Sequence, residues 1–183
     1  MKRALATIVI GENHERLFAM TGQRMREYAD QIEADFVMLR HTRYEMPHFA
    51  KFELICELHD RGYDKALYVD ADIHIRQEAP NIFDHYHSAA FSEVPHPQPP
   101  WLRLSIQWIR ENMVPDWPAN LYYNTGVMVF DRPALVGVSE MVRDATPQPG
   151  KFFEQDQLNV LMRDGGFPQQ KLEQRWNQFC GER

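Results

Sequence analysis

The sequence predicts an α/β protein with a mixed, mostly parallel central sheet that is flanked by helices. Its first part carries an apolar run at 4–10, an amphipathic pattern at 14–33 and a second apolar run at 36–40. A strand, a helix and a strand within about 40 residues are typical of a βαβ unit and of a parallel sheet. Two later apolar runs, at 66–69 and 121–130, read as buried strands that carry polar residues close to the apolar stretch.

The remaining elements follow from the same periodicities. Apolar residues at helical spacing indicate helices, short runs of strand formers indicate strands, and Pro and Gly mark their ends. The predicted helices are 14–33, 48–61, 101–112, 133–145 and 151–163, with a short helical turn at 80–84. The predicted strands are 4–10, 36–40, 66–69, 89–94, 121–130 and a last strand, followed by a loop, within 168–180. We expect the central strands to be parallel.

Composition restricts the classes of function. With 183 residues, the chain is predicted to be one domain with one sizeable core. A net charge of −6 argues against a nucleic-acid partner, because affinity for a polyphosphate backbone is mostly electrostatic. Cys56 and Cys180 are too few for a disulfide scaffold, which favours a reducing, cytoplasmic location. No apolar run approaches the roughly 18 residues of a membrane span, so no transmembrane segment is predicted.

Two carboxylates follow the apolar run at 66–69. Residues i and i+2 of an extended backbone point to the same side, so Asp70 and Asp72 are expected to converge just past a strand end. Ligands bind at that end of open α/β sheets, and hard oxygen ligands suit Mg²⁺ or Mn²⁺ with a bound phosphate. We therefore expect this segment to present a divalent metal to a diphosphate. The alternative is a pair of turn or capping aspartates, because Asp-x-Asp is common.

Several short signatures stand in a defined order along the chain. They are Tyr68-Val-Asp70-Ala-Asp72, Asn124-Thr-Gly126-Val, Glu154-Gln-Asp-Gln-Leu-Asn159 and Arg175-Trp-Asn177. Together they resemble the GT-A glycosyltransferases, and most closely glycosyltransferase family eight, the glycogenin and lipopolysaccharide galactosyltransferase type. The resemblance runs from the first strand to residue 180. It implies one GT-A, Rossmann-like domain over 1–183 that uses Mn²⁺ or Mg²⁺ to move a hexose from a UDP-sugar, with retention, to a glycan, lipid-linked or protein acceptor.

The resemblance also implies roles for individual residues. Asp70 and Asp72 match the metal-binding Asp-x-Asp motif, and Glu154 and Gln155 match an Asp-Gln pair at the donor sugar, with the amide near the anomeric carbon. Glu154 departs from the family because its side chain is one methylene longer. The positions implied to bind the donor are the backbone of Thr7, Ile8 and Val9 at the uracil, Asn13 at the base-contacting turn, Lys51 at the phosphate or sugar, Asp70, Ala71 and Asp72 with the metal, and Asn124 and Gly126 beside the sugar.

The chemistry of these residue types is consistent with such roles. A diphosphate leaving group needs charge neutralisation, which a metal supplies and to which Lys51 adds a point charge. Gln155 is a poor nucleophile, so we expect front-side attack through an oxocarbenium-like state that Glu154 and Gln155 stabilise. An inverting enzyme would instead need a carboxylate base facing the acceptor, which Asp156 or Asp116 offers in principle. The acceptor is expected to enter over residues 95–118 and the start of helix 151–163.

The third metal ligand is where the sequence departs most from the family. That ligand is a His in a C-terminal His-x-x-Gly-x-x-Lys-Pro-Trp segment, and this sequence stops at Arg183 without one. A shortened chain, a minimal natural protein and a site completed in another way all remain open. His74 alternates with the two acids, but we expect it to point away where the strand bends. Three further histidines lack a metal-binding spacing and are expected at the surface: His85, His87 and His96.

Two functions other than sugar transfer remain as alternatives. The missing His segment motivates a nucleotide-sugar-binding module with little or no turnover, or one that depends on a partner. A metal phosphohydrolase would use the two carboxylates of Asp70 and Asp72, but it would need neither the Asn124-Thr-Gly126 segment nor the Glu154-Gln155 pair.

Overall fold

The structure, a computed structural model, describes residues 1–94, 99–164 and 167–177. Strands and helices alternate along most of the chain, and two helices follow each other before the last strand. The strands are β1 (Arg3–Ile8), β2 (Asp35–Leu39), β3 (Lys65–Val69), β4 (Ala89–Glu93), β5 (Tyr123–Asp131) and β6 (Gln169–Lys171). The helices are α1 (Glu12–Gln31), α2 (Ala50–Asp60), α3 (Ile82–His85), α4 (Pro100–Asn112), α5 (Arg132–Arg143) and α6 (Glu154–Asp164). Short 3-10 turns lie at Pro47–Phe49 and Gln174–Trp176. Each predicted element is present, with ends that differ by a few residues.

Local sequence explains where two of the helices begin. The side chain of Asn81 accepts a hydrogen bond from the Phe83 N–H at the start of α3. Asp131, the last residue of β5, accepts one from the Ala134 N–H and so caps α5, whose second residue is Pro133. Asp and Asn are favoured at this position because they satisfy N–H groups that have no partner within the helix. The chain therefore turns from β5 into α5 without a loop.

The six strands form one mixed sheet in the order β2-β1-β3-β5-β4-β6. The pairs β1–β2, β1–β3 and β4–β6 are parallel, whereas β5 runs antiparallel to both β3 and β4. The predicted mixed, mostly parallel sheet is confirmed. The expectation of parallel central strands was wrong at β5, because the chain enters β5 beside the place where it left β4 and does not cross the sheet.

Helices cover both faces of the sheet, and two apolar clusters fill the space beneath them. Alternate residues of β1 enter different clusters, as the two-residue period of a strand requires. Ala4 and Ala6 pack with Phe52 of α2, whereas Leu5 packs with Met25 of α1. A third cluster under α4 is built around the fully buried ring of Trp117. The clusters anchor the ends of β1, β3 and β5, at which the cleft described below is formed.

The helices in the described parts of the chain have at most 20 residues. None of them combines the length and the apolar character that crossing a bilayer requires.

Candidate functional site

A cleft of about 430 Å³ opens at the edge of the sheet where β1 and β3 end and β5 begins. Its walls come from both helical layers as well as from the sheet. The residues that line it are Ile8, Ile10, His14, Leu17, Pro47, His48, Lys51, Tyr68, Asp70, Ala71, Asp72, Thr125, Phe152, Phe153, Glu154 and Gln155.

Asp70 and Asp72 both line the cleft, but a turn places them there. β3 ends at Val69, and the Ile73 N–H donates to the Asp70 carbonyl at 3.0 Å, which closes a turn over the two acids. The strand alternation that we used to predict their convergence therefore does not extend through them. The hydroxyl of Thr21, in α1, donates to the carbonyl of the buried Ala71 at 2.6 Å and fixes this turn against α1.

Lys51 is the buried cation of the cleft. Its Nζ lies 2.8 Å from Glu154 Oε1 and 3.3 Å from Asp70 Oδ1, and it donates to Thr125 Oγ1 at 3.1 Å. Burial lowers the pKa of Lys51, but the carboxylates of Asp70 and Glu154 outweigh that effect and raise the pKa above its usual value of 10.5. The ammonium therefore stays charged, and it connects α2, the end of β3 and the start of α6.

Tyr68, the second-last residue of β3, supports Asp70. Its hydroxyl donates to Asp70 Oδ1 at 2.5 Å, and the Asp70 N–H donates to the Gly126 carbonyl at 2.8 Å. Burial, together with the neighbouring Asp70 carboxylate, raises the pKa of Tyr68 well above 10, so its phenol remains a hydrogen-bond donor. Oxygen Oδ1 of Asp70 is thus held by Tyr68 and Lys51.

Asn124 and Gly126 do not line the cleft, but they contact residues that do. The Gly126 N–H and the Asn177 amide both donate to Asn124 Oδ1, each at 2.8 Å. A Cβ at position 126 would lie 2.9 Å from Asn124 Oδ1 and 3.1 Å from Asp70 Oδ2. Glycine is therefore needed for the close approach of β5 to the Asp70 carboxylate. Asn177 connects the Arg175-Trp-Asn177 signature to the same place.

The first turn of α6 carries Glu154, Gln155 and Asp156, all of them buried. Glu154 pairs with Lys51, and Gln155 reaches the cleft. Asp156 is 0% exposed: its Oδ1 accepts from the Tyr122 hydroxyl at 2.5 Å and its Oδ2 from the Phe152 N–H at 3.0 Å. A carboxylate with both oxygens engaged in this way does not face an acceptor, which corrects the possibility that Asp156 is the base of an inverting reaction. Asp116 is exposed and lies outside the cleft lining.

The other predicted positions differ in how close they come to the cleft. Ile8 lines it, but Thr7 and Val9 are buried in and beside β1, and Asn13 is exposed in the first turn of α1. Burial keeps the side chains of Thr7 and Val9 from a ligand, so only their backbone can contribute. His85 and His87 are exposed, as expected, and His74 is exposed and lies outside the cleft lining. His96 and Cys180 lie outside the described residues.

Several cleft residues were missed from the sequence. The rings of His48 and Phe153 stack at the rim with centroids 4.0 Å apart and an interplanar angle of 7°. Phe153 is 41% exposed and has a φ of 48°, which is a strained conformation for an aromatic residue. Its position directly before Glu154 was the available signal. Thr125 lies within the Asn124-Thr-Gly126 signature, which was its signal. Tyr122, which lies outside the cleft lining, gave none, since Tyr is an ordinary strand former.

Asp70 and Asp72 are the residues that would hold a divalent metal. Among the described residues, no group of three or more His, Cys, Asp or Glu side chains is placed to hold one. Two carboxylates nevertheless fit Mg²⁺, which commonly takes one or two of them and completes its shell with water and substrate phosphate. Asp72 is exposed to the cleft, and Asp70 is held in place by Tyr68. The carboxylates of Asp70 and Asp72 therefore fit a metal whose remaining ligands come from substrate and water.

Comparison with solved structures identifies the fold. A glycosyltransferase involved in the glycosylation of the major capsid of PBCV-1 superposes with a TM-score of 0.65 at 15% identity, covering 95% of this chain and 82% of that one. The chain has the fold of a glycosyltransferase. The glycosyltransferase GlyE of Streptococcus pneumoniae TIGR4 superposes with a TM-score of 0.51 at 14% identity, covering 97% of this chain and 46% of that one. The predicted fold class is thus confirmed.

Similarity in sequence covers less of the chain than similarity in structure. No protein-family model matches the chain. Galactinol synthase 5 of Arabidopsis thaliana is 28% identical over 117 residues, which cover 56% of this chain. The chain spans about a third, 34%, of the length of that curated relative.

Proposed function

We propose that the chain is a metal-dependent glycosyltransferase of the family-eight type, which transfers a hexose from a UDP-sugar to an acceptor with retention. The shared fold supports sugar transfer, and the similarity to a galactinol synthase supports this family. The observation that carries the proposal is the ion-pair cluster at the cleft. Lys51 connects Asp70 of the Asp-x-Asp motif with Glu154 of the Glu-Gln pair, so the two signatures occupy one site.

In this proposal Asp70 and Asp72 bind Mg²⁺ or Mn²⁺, which supplies charge neutralisation for the diphosphate leaving group. Lys51 adds a fixed positive charge and orders Asp70 and Glu154 before the donor arrives. The end of β1, with the backbone of Thr7–Val9 and with Asn13 beside it, holds the uracil base. Gly126 keeps Asp70 in position, and Gln155 is the amide that faces the sugar.

Retention is the outcome that the cleft carboxylates favour. Those that line the cleft are Asp70, Asp72 and Glu154. The first two are assigned to the metal, and the third is paired with Lys51 at 2.8 Å. None of the three is left as a base for a water or an acceptor hydroxyl. Gln155 and Glu154 therefore stabilise an oxocarbenium-like transition state in a front-side displacement.

Calorimetry of donor binding tests the proposal. UDP, UDP-glucose and UDP-galactose are titrated with and without Mn²⁺ into the wild type, into Asp72→Ala and into the control Asp116→Ala, whose exposed carboxylate lies outside the cleft. We expect binding of at least one UDP-sugar to weaken at least about tenfold without metal and in Asp72→Ala, but not in Asp116→Ala. Metal-independent binding, or an Asp72→Ala variant that binds like the wild type, would contradict the proposal.

A second assay separates transfer from binding alone. Release of UDP from the donor that binds best is followed in the presence and absence of candidate acceptors. Turnover is expected for the transferase. Metal-dependent binding with no hydrolysis and no transfer would favour the nucleotide-sugar-binding module, which the absence of a third metal ligand among the described residues motivates.

A further inference from the structure

A buried row of hydrogen bonds runs from the turn before α6 to β5 and passes through Gln155. The Phe152 N–H donates to Asp156 Oδ2 at 3.0 Å, and the Tyr122 hydroxyl donates to Asp156 Oδ1 at 2.5 Å. The Gln155 amide nitrogen lies 3.1 Å from the Tyr122 hydroxyl oxygen, and the Thr125 N–H lies 2.9 Å from the Gln155 amide oxygen. Tyr122, Thr125, Gln155 and Asp156 are all buried.

The chemistry of the two ends sets the direction of every hydrogen bond in the row. The backbone N–H groups of Phe152 and Thr125 can only donate, and an ionised carboxylate can only accept. Tyr122 must therefore give its single hydrogen to Asp156 and accept from Gln155. Gln155 must in turn present Nε2 to Tyr122 and Oε1 to the Thr125 N–H. Burial and the Asp156 carboxylate raise the pKa of Tyr122, which keeps its hydroxyl protonated.

The contacts of Thr125 with Lys51 and Gln155 require the same orientation of the Gln155 amide. Lys51 has no acceptor, so its ammonium donates to Thr125 Oγ1 at 3.1 Å. The hydroxyl hydrogen of Thr125 is then free to point at Gln155 Oε1, which lies 3.1 Å away. Gln155 Oε1 accordingly receives two hydrogens, and the reverse orientation of the amide would set its NH₂ group against a backbone donor.

We infer that Asp156 is a positioning residue that, through Tyr122, fixes the orientation of the Gln155 amide. Asp156 itself lies outside the cleft lining, whereas Gln155 is part of it. The carboxylate at position 156, together with the two Thr125 donors, thus sets which amide atoms Gln155 can present to a ligand. The kinetic part of this inference rests on the proposed function, whereas the structural part stands without it.

Asp156→Asn breaks the order of donors. An asparagine must turn its amide oxygen to the Phe152 N–H, so its NH₂ group faces Tyr122. Tyr122 then accepts from residue 156 as well as from Gln155, so its own hydrogen has no acceptor within the row. Gln155 could accept that hydrogen only by flipping, which would place its NH₂ group against the Thr125 N–H. A glutamate at position 155 would remove this conflict, because both of its oxygens accept. Gln155→Glu alone, however, leaves two carboxylates sharing the one hydrogen of Tyr122.

Thermal unfolding of a double-mutant cycle tests this order of donors. We expect Asp156→Asn and Gln155→Glu each to lower Tm by at least about 3 °C, since each leaves a buried group without its partner. The double variant D156N/Q155E is expected to unfold at a higher temperature than either single variant. A Tm loss in the double variant equal to the sum of the single losses, or larger, would overturn the inference.

Gln157 supplies the matched control. It is a buried amide on the same helix, but it bonds to the backbone of Gln148 and Thr146. A Gln157→Glu substitution therefore has the same chemistry as Gln155→Glu outside the row. The D156N/Q157E variant is expected to show no recovery of Tm. Recovery there as large as that in D156N/Q155E would mean a general charge effect and would overturn the inference.

A kinetic comparison tests the consequence for the cleft. Asp156→Asn is expected to lower kcat for donor hydrolysis or transfer at least about tenfold while KM for the donor stays within about threefold. Unchanged kcat would overturn the positioning role. If the wild type binds no UDP-sugar, the proposed function fails, and the Tm cycle still decides whether Asp156 orients Gln155.

Discussion

Replacing Lys51 by methionine tests the ion-pair cluster directly. The substitution keeps most of the apolar stem but removes the ammonium that lies 2.8 Å from Glu154 and 3.3 Å from Asp70. The two partners respond differently. The side chain of Glu154 is only 7% exposed, whereas that of Asp70 is 36% exposed and keeps its hydrogen bond from Tyr68. Most of the cost therefore comes from Glu154.

Removing one partner of a buried ion pair costs roughly 3–5 kcal/mol, because the other charge is left without compensation. Solvent screens the partly exposed Asp70, so we count only Glu154 and take the lower end, about 3 kcal/mol. For a chain of 183 residues this corresponds to a Tm loss of roughly 6–12 °C. A double variant that also changes Glu154 to methionine removes both charges and is expected to recover at least about 1.5 kcal/mol.

Urea unfolding of Lys51→Met and of a surface control measures the loss in the free energy of unfolding. Lys171→Met is the control, because Lys171 is 68% exposed in its pair with Glu93 and is expected to contribute at most about 1 kcal/mol. A Lys51→Met variant within about 1 kcal/mol of that control would refute the reasoning.

The pH dependence of the same difference follows from the raised pKa of Lys51. A cation whose pKa is higher in the folded state contributes its full stabilisation below its unfolded pKa of 10.5, and loses it only as pH rises through the folded value. We therefore expect the free-energy difference between wild type and Lys51→Met to stay constant between about pH 7 and pH 9.

Three further substitutions test the backbone. Gly126→Ala places a Cβ 3.1 Å from Asp70 Oδ2, so we expect the free energy of unfolding in urea to fall by about 1–3 kcal/mol. We also expect calorimetry to show weaker metal-dependent donor binding. Unchanged binding would contradict the role given to Gly126. Glu33 has a φ of 55° just past α1, so we expect Glu33→Gly to raise the free energy of unfolding by about 0.5–1 kcal/mol. Gly62 has a φ of 73° past α2, so we expect Gly62→Ala to lower that free energy by a similar amount. Changes of the opposite sign would argue against backbone strain at these ends.

The periodicity of the sequence is enough to place the elements, because each helix and strand buries one face or both. The motifs are enough to indicate which residues meet, since Asp70, Lys51 and Glu154 do lie in one ion-pair cluster. The uracil positions were expected to act through their backbone, and this stays a prediction. Thr7 and Val9 belong to the core, and their burial depends on how α1 and α2 pack over β1, which a local pattern does not encode.

The orientation of Asp156 was also beyond the sequence. An acid in the first turn of a helix is favoured wherever it points, because the helix dipole stabilises it. Here the backbone of Gly150 lies so close that a Cβ would be 2.2 Å from Asp156 Oδ2, and the Tyr122 hydroxyl meets Oδ1. Both contacts are made by residues distant from α6 or across a turn. Only the folded chain shows that this carboxylate turns inward.

The direction of β5 determines whether a site forms at all. Val69 of β3 pairs with Val127 of β5 in antiparallel register, which sets residues 124–126 beside the carboxyl end of β3. A parallel β5 would carry the same residues to the opposite edge of the sheet, about 15 Å away for a five-residue strand such as β3. Because β5 is reversed, Thr125 lies between Lys51 of α2 and Gln155 of α6 and bonds to both. Substitutions at these three positions share that one hydroxyl, so their effects on stability should not be additive.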